Sequence, residues 1–285
     1  MPTLQSLSQR RDAVTSTKKI MSAMKMVAAA KLKRFDALFK ETRKQKHALM
    51  MAAGPAALTL EDFPHYTHHV NNRPSLWIIL GANRGLCGHF HTQLIRSIET
   101  HIAQEKEPPL MYVFGDRLAS QLKGRGHTLF KTEAQFKQVQ TDAMATLLEE
   151  AVHLYDDKKI GRICVVSTHF KNALSQDVKL LSLNDLLAPL TASSHKPGLL
   201  PDVTLEPTRA LFVRHWIQTY LVFALYHLFV ESILSEEGCR MTAMDGAVRN
   251  SEEILEDIGL SYNRQRQAMI TKELTEVISG AQALC

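Results

Sequence analysis

Seven-residue periodicity near the carboxyl end constrains this chain more than any other feature. In RMTAMDGAVRNSEEILEDIGLSYNRQRQAMITKELTEVISGAQAL (240–284), Met241, Val248, Leu255, Tyr262 and Met269 recur every seven residues, and Met244 and Ile258 fall at a second seam position. An a/d pattern sustained over about four heptads is the signature of a helix packed along another helix. No proline follows Pro207, and Gly238, Gly246 and Gly259 weaken such a helix without having to end it. From Arg209 onward, about seventy helical residues would reach roughly 110 Å, far beyond a compact domain. A helix of that length needs a partner.

The partner is at the other end of the chain. Residues 3–53 contain neither Pro nor Gly, and Leu7, Val14, Met21, Ala28 and Phe35 repeat at seven, with Met24 and Leu38 on the adjacent seam. Ala28, Ala29 and Ala30 would let another helix approach closely. A helix here would run about 75 Å if continuous. Two long seam-bearing helices most simply pair antiparallel, with everything between them forming a separate lobe.

That lobe begins after a turn-rich segment, 54–75. LWIIL (76–80) is a continuous apolar run suited to a buried strand, GANRGLCG (81–88) a glycine-rich turn, and HFHTQLIRSIETHIAQ (89–104) an amphipathic helix. LMYVF (110–114) predicts a strand, Asp116 to Lys123 a short helix, DAMATLLEEAVHLYDD (142–157) a helix and IGRICVVST (160–168) a β-branched strand. Strands alternating with helices indicate an α/β sandwich on a mainly parallel sheet. The fold class is therefore α/β: a long antiparallel coiled coil of the terminal helices plus a central Rossmann-like α/β domain. The expected division is 1–55 for the first helix, 74–190 for the central domain, 191–208 for a Ser/Pro/Gly-rich linker and 209–285 for the terminal helix.

Charge is unevenly placed. Residues 1–50 hold twelve Lys/Arg against Asp12, Asp36 and Glu41, a balance of +9 that leaves −4 for the remainder of a +5 chain. Such an arm can bind nucleic acid, an anionic membrane or an acidic protein surface, or simply be a solvated helix face. The four cysteines (87, 164, 239, 285) are scattered without metal-ligand spacing, which suits reduced thiols in a cytosolic setting. No apolar h-region of a signal peptide precedes the first helix. WIQTYLVFALYHLFVESIL (216–234) is the most hydrophobic stretch, but Gln218, His227 and Glu231 within it suit a buried helix better than a membrane span.

For chemistry, Gly81, Gly85 and Gly88 sit between a strand and a helix, where a phosphate could meet a helix N-terminus. Their spacing is neither the dinucleotide fingerprint nor a P-loop. The competing reading is that these glycines serve positive φ and close strand–helix packing. No Ser/His/Asp or Cys/His set and no paired carboxylates stand out, so no catalytic residue, cofactor or metal is expected. Three classes remain: a coiled-coil mechanical element, a nucleotide-dependent α/β enzyme with helical extensions, and a nucleic-acid binder. The second should bring a phosphate or catalytic motif. The third usually mixes aromatics with its charge, yet Phe35 and Phe39 are the only aromatics before residue 60. The first explains both terminal helices at once.

Three blocks carry a family resemblance over essentially the whole chain: KKIMSAMKMVAAAKLKR (18–34), NRGLCGHF (83–90) and EEGCRMTAMDGAVRNSEEILEDIGLSYNRQRQAMITKELTEVISGAQAL (236–284). They resemble the gamma subunits of F-type ATP synthases, the central stalk that rotates inside the ring of catalytic subunits. The resemblance implies an upper coiled coil within the ring of alpha and beta subunits. It also implies a foot shared with the epsilon subunit on the membrane rotor ring of c subunits, with no nucleic-acid partner. It further implies peripheral attachment at the cytoplasmic face of a bacterial inner membrane, or the matrix side if organellar. Such a chain couples proton-driven turning to catalytic-subunit conformation and makes no bond of ATP itself.

Carried over by position, Arg266, Gln267, Thr271 and Glu273 match polar contacts with catalytic-subunit loops. Met24, Lys25 and Arg240 match facing positions lower on the two helices, and Glu206 a position near the foot. Asn83 stands where the family has Asp, His89 where it has the second Gly of a pair, and Lys272 where Gln is common. The first two weaken a phosphate site at the central loop. The cysteine-bearing regulatory insertion of chloroplast relatives is not evident.

Overall fold

The computed structural model describes residues 3–53, 73–135, 140–193, 206 and 208–282. Most of the expected turn-rich segment 54–75 and of the linker 191–208 lies outside the described residues. Among the described residues, six helices and five strands follow in the order α1 (Leu4–Ala53), β1 (Ser75–Leu80), α2 (Phe90–Ile102), β2 (Leu110–Phe114), α3 (Asp116–Gly124), β3 (Lys131–Glu133), α4 (Thr141–Asp156), β4 (Arg162–Phe170), β5 (Gln176–Ser182), α5 (Leu183–Ser193) and α6 (Arg209–Gln282). Both long helices run unbroken, over 50 residues in α1 and 74 in α6. By contacts the chain divides into two compact units, Ala29–Arg240 and the pair Met1–Ala28 with Met241–Cys285. The division cuts through both long helices.

The larger unit is built on a sheet of order β3-β2-β1-β4-β5. β1 pairs parallel with β2 and β4, β2 pairs parallel with β3, and β5 returns antiparallel along β4. Every residue of β1 is buried, as a strand with both faces covered requires. Alternation sorts its side chains. Leu76, Ile78 and Leu80 join Tyr112, Phe114 and Val165 against α4, α5 and the Val213–Leu234 part of α6, with Phe35 of α1 in the same cluster. Trp77 and Ile79 join Met111, Val113 and Val166 against α2 and α3. The apolar stretch of α6 is long and apolar enough to cross a membrane by composition, but 72% of that window is buried in the protein. It is a core helix.

Two buried polar groups of α6 in this core are paired. Thr42 donates its hydroxyl to Phe39 O at 2.9 Å, so the 2.8 Å contact with His227 requires Nδ1–H of the imidazole to donate to Thr42 Oγ1. Glu231 lies 2.6 Å from His169 Nδ1 and accepts the Phe170 N–H at 3.2 Å.

In the smaller unit the α1 and α6 segments pair antiparallel: Lys25 meets Asp245 (2.6 Å), Met21 meets Ser251 (3.8 Å), Lys18 meets Glu252 (2.9 Å) and Arg11 stacks over Tyr262 (5.9 Å). The expected heptads carry the burial. Leu7 and Ala28 are buried on α1, with Val14 and Met21 half-buried between them. On α6 the second seam is the deeper one: Met244, Ser251 and Ile258 are buried, while Met241, Val248, Leu255 and Tyr262 are half-buried. Ser251 is tolerated there because its hydroxyl donates to Ala247 O at 2.7 Å. Met269, expected on the seam, is instead 47% exposed. With Arg11 opposite Tyr262, seven further residues along α6 reach the first turn of α1, where the partner runs out.

Candidate functional site

In the glycine loop Gly81 serves packing and Gly88 a turn, whereas a Cβ on Gly85 would meet nothing within 4 Å. A Cβ on Gly81 would fall 2.3 Å from Leu118 Cδ2 of α3, and one on Gly115 would fall 2.7 Å from the backbone N of Ala82, with φ of 114° besides. Leu86 (φ 60°) and Gly88 (φ 56°) turn the chain into α2. Asn83 stitches the loop to its neighbours: its Oδ1 accepts the N–H groups of Gln135 (2.8 Å) and Asp116 (3.2 Å), and its Nδ2 donates to Gln135 O (3.1 Å). An amide completes this set because it offers both an acceptor and a donor.

Nucleophiles near the loop are disarmed. Burial pushes the Cys87 thiol up and Cys239 up to about 12, which leaves almost no thiolate at neutral pH. Cys87 Sγ packs 3.6 Å from His91 Nδ1, and Cys239 donates to Gln176 Oε1 at 2.6 Å. Among the described residues no group of three His, Cys, Asp or Glu could hold a metal ion.

One turn of α6 carries a buried ionic cluster that sequence reasoning did not single out beyond Arg240. Glu236 and Glu237 are each 4% exposed. Arg240 reaches Glu236 at 2.5 Å and Glu237 at 3.0 Å, and Lys31 of α1 reaches Glu237 at 3.0 Å. Burial raises the Glu236 carboxyl, and Arg240 and the Gln135 amide (2.7 Å) act against that rise. Arg240 is buried with the two carboxylates, and Lys31, half-exposed, supplies the second positive charge from the surface, so that neither carboxylate is left unpaired. The signal in the sequence was Arg at i+3 and i+4 from two adjacent Glu.

The expected contact residues fall in four places. Lys25 is held by Asp245, and this pairing depresses the Asp245 carboxyl; Met24 beside it is half-buried. Arg240 belongs to the ionic cluster, and Glu206 is exposed. Arg266, Gln267, Thr271 and Glu273 all lie exposed on α6. Thr271 donates its hydroxyl to Gln267 O at 2.9 Å, which places these two one turn apart on the same surface. Around them Met269, Ile270, Leu274, Val277 and Ile278 are 46–69% exposed. Apolar side chains clustered on such a surface mark a place where another chain packs.

Comparison with known proteins agrees with this arrangement along the whole chain. The family model described as ATP synthase matches residues 3–284. The ATP synthase gamma chain of Halothermothrix orenii is 32% identical over 289 residues, covering 100% of both chains. That of Chlorobium limicola is 32% identical over 293 residues, covering 100% of this chain and 99% of its own. Among solved structures, the rotor of the Euglena gracilis mitochondrial ATP synthase superposes with a TM-score of 0.67 at 18% identity, covering 94% of this chain and 98% of that one. A second structure, the OSCP/F1/c-ring assembly of the same organism, gives a TM-score of 0.70 at 18% identity, covering 99% and 94%. At that identity the likeness shows the fold. Matched from end to end by the family model and by relatives above 30% identity, this chain belongs to the gamma-chain family of the ATP synthases.

Proposed function

We propose that this chain is the rotary central stalk of an F-type, proton-transporting ATP synthase, and that it carries torque without catalysing a reaction itself. The observation that carries the reading is the bare end of α6. Past Met269 the helix has outrun α1, and from Arg266 to Ser279 it presents apolar and polar side chains on an exposed surface. A helix hydrophobic on an unpaired face is stable only when a surrounding structure covers it. A ring of alternating alpha and beta subunits is such a cover. Arg266, Gln267, Thr271 and Glu273 then meet catalytic-subunit loops, Met24, Lys25 and Arg240 act lower on the shaft, and Glu206 near the foot.

The sheet domain forms that foot with the epsilon subunit on the ring of c subunits. The chain is thus peripheral to the membrane, on the cytoplasmic face of a bacterial inner membrane or the matrix side of a mitochondrial one. Buried thiols and a glycine loop used for packing and turning support a non-catalytic role over the nucleotide-dependent enzyme. Affinity purification of the tagged chain from solubilised membranes tests the proposal. One copy should emerge with alpha, beta, epsilon and the rotor ring, and the pure chain should not hydrolyse ATP. A chain recovered alone, or turnover by the pure chain that is lost on changing Gly81–Gly88, overturns it.

A further inference from the structure

Open α/β sheets bind ligands outside the carboxyl ends of their strands, at the point where strand order reverses. Here that point lies between β1 and β4, since the chain steps outward from β1 to β2 and β3 and then returns on the other side as β4. The protein's own helix fills the place. Ser232 donates its hydroxyl to Leu80 O at the end of β1 (3.1 Å), and Ser235 donates to Thr168 O of β4 (3.2 Å). Three residues apart, they share one helix face. In the next turn Glu236 accepts the side-chain amide of Gln135 (2.7 Å), whose backbone Asn83 holds on both sides. Cys239 then donates to Gln176 of β5.

The helix also changes faces here. Through Leu234 it packs in the core on one side of the sheet, and at Cys239 in the core on the other. Gly238 permits the crossing, since a Cβ would fall 3.2 Å from the Phe170 ring. Every residue from Glu231 to Arg240 is buried, yet six of the ten are Glu, Ser or Arg. Apolar packing would bury this segment more cheaply; its driving force is non-directional, and the resistance to turning comes from interlocked side chains alone. Hydrogen bonds to strand carbonyls have a preferred direction.

We infer that this stretch is a keyed seat in which Ser232, Ser235 and Glu236 are positioning residues. They fix the rotational setting of α6 in the sheet domain, so that torque entering the domain reaches the helix without slip. The inference rests on the rotary reading above.

The test uses the whole complex, immobilised through its catalytic ring, with a bead on Lys123→Cys, an exposed position of α3. Angular spread is measured with the catalytic subunits arrested. Ser232→Ala, Ser235→Ala and their combination with Gln135→Ala should widen the spread progressively while lowering the melting temperature by only a few degrees for each bond lost. Each lost hydroxyl should speed amide exchange in 231–240 about five-fold, the factor one net hydrogen bond is worth. Ser235→Thr, which keeps the hydroxyl, should restore both readings. The single variants remove no charge and keep the test available if the triple variant does not assemble. A wild-type bead that ATP does not turn refutes the rotary reading. A turning wild type with unchanged spread and exchange in the variants overturns the seat alone.

Discussion

Acid should loosen the sheet domain through one imidazole. His227 is buried on α6, stacked on Phe39 (ring centroids 4.8 Å apart) and bonded to Thr42. Burial first, then the nearby charges of Lys46 and Arg43, bring its pKa from 6.5 down to about 4. The folded state therefore holds the neutral ring over a range in which the unfolded chain takes up a proton. A base depressed in this way contributes stability that is fully present above pH 6.5 and is lost as pH falls through 4. Two and a half units at about 1.36 kcal/mol each make the whole effect about 3 kcal/mol, with about 2 kcal/mol gone by pH 5. Glu231 and Glu236, raised by burial, act with the opposite sign over the same range, so wild type alone would understate the effect. The assay is urea unfolding at pH 7 and pH 5, followed by the fluorescence of Trp77 and Trp216, both in the sheet unit. His227→Gln keeps an amide within reach of Thr42 and removes the titration. It should lose about 2 kcal/mol less than wild type between the two pH values. Equal losses in the two proteins would refute the assignment.

Other outcomes follow from the same geometry. In the assembled complex, Gln267→Ala and Thr271→Ala should slow hydrolysis and synthesis several-fold with assembly intact, since each removes an interaction worth about 1 kcal/mol; full rates in both directions would make the cluster ordinary solvated surface. Met21→Cys with Ser251→Cys should oxidise to a crosslink within one chain and leave rotation-dependent activity largely unchanged, because both helices turn together. Crosslinks found only between separate chains would contradict the antiparallel pairing. Gly81→Ala should cost about 1–3 kcal/mol by overpacking against Leu118, and Leu118→Ala beside it should cost less than the two changes summed, as read from urea midpoints.

Much of the architecture was legible in the residues. The strand at 110–114 falls where the apolar run put it, and both terminal helices run through the stretches free of proline. Two elements escaped notice for different reasons. β5 is an antiparallel edge strand of half-buried side chains, so its apolar signal is diluted, although Asn172 accepting the N–H groups of Leu174 and Ser175 marks the turn before it. α5 contains Pro189, which argues against a helix, but Ser182 and Asp185 form a capping box that could have announced it.

By itself, the order of residues determined the two seams, because a heptad repeat states which face of a helix must be covered whatever covers it. It also determined the buried parallel strands, whose apolar runs admit no wet face. Tertiary structure alone decided that the Met244–Ser251–Ile258 seam lies deeper than its neighbour, since depth depends on where the partner helix passes. Only the fold could bring Ser232 and Ser235 to the ends of strands that precede them by some 152 and 67 residues. Hydroxyls on a helix look like solvated surface until the carbonyls that accept from them are in place.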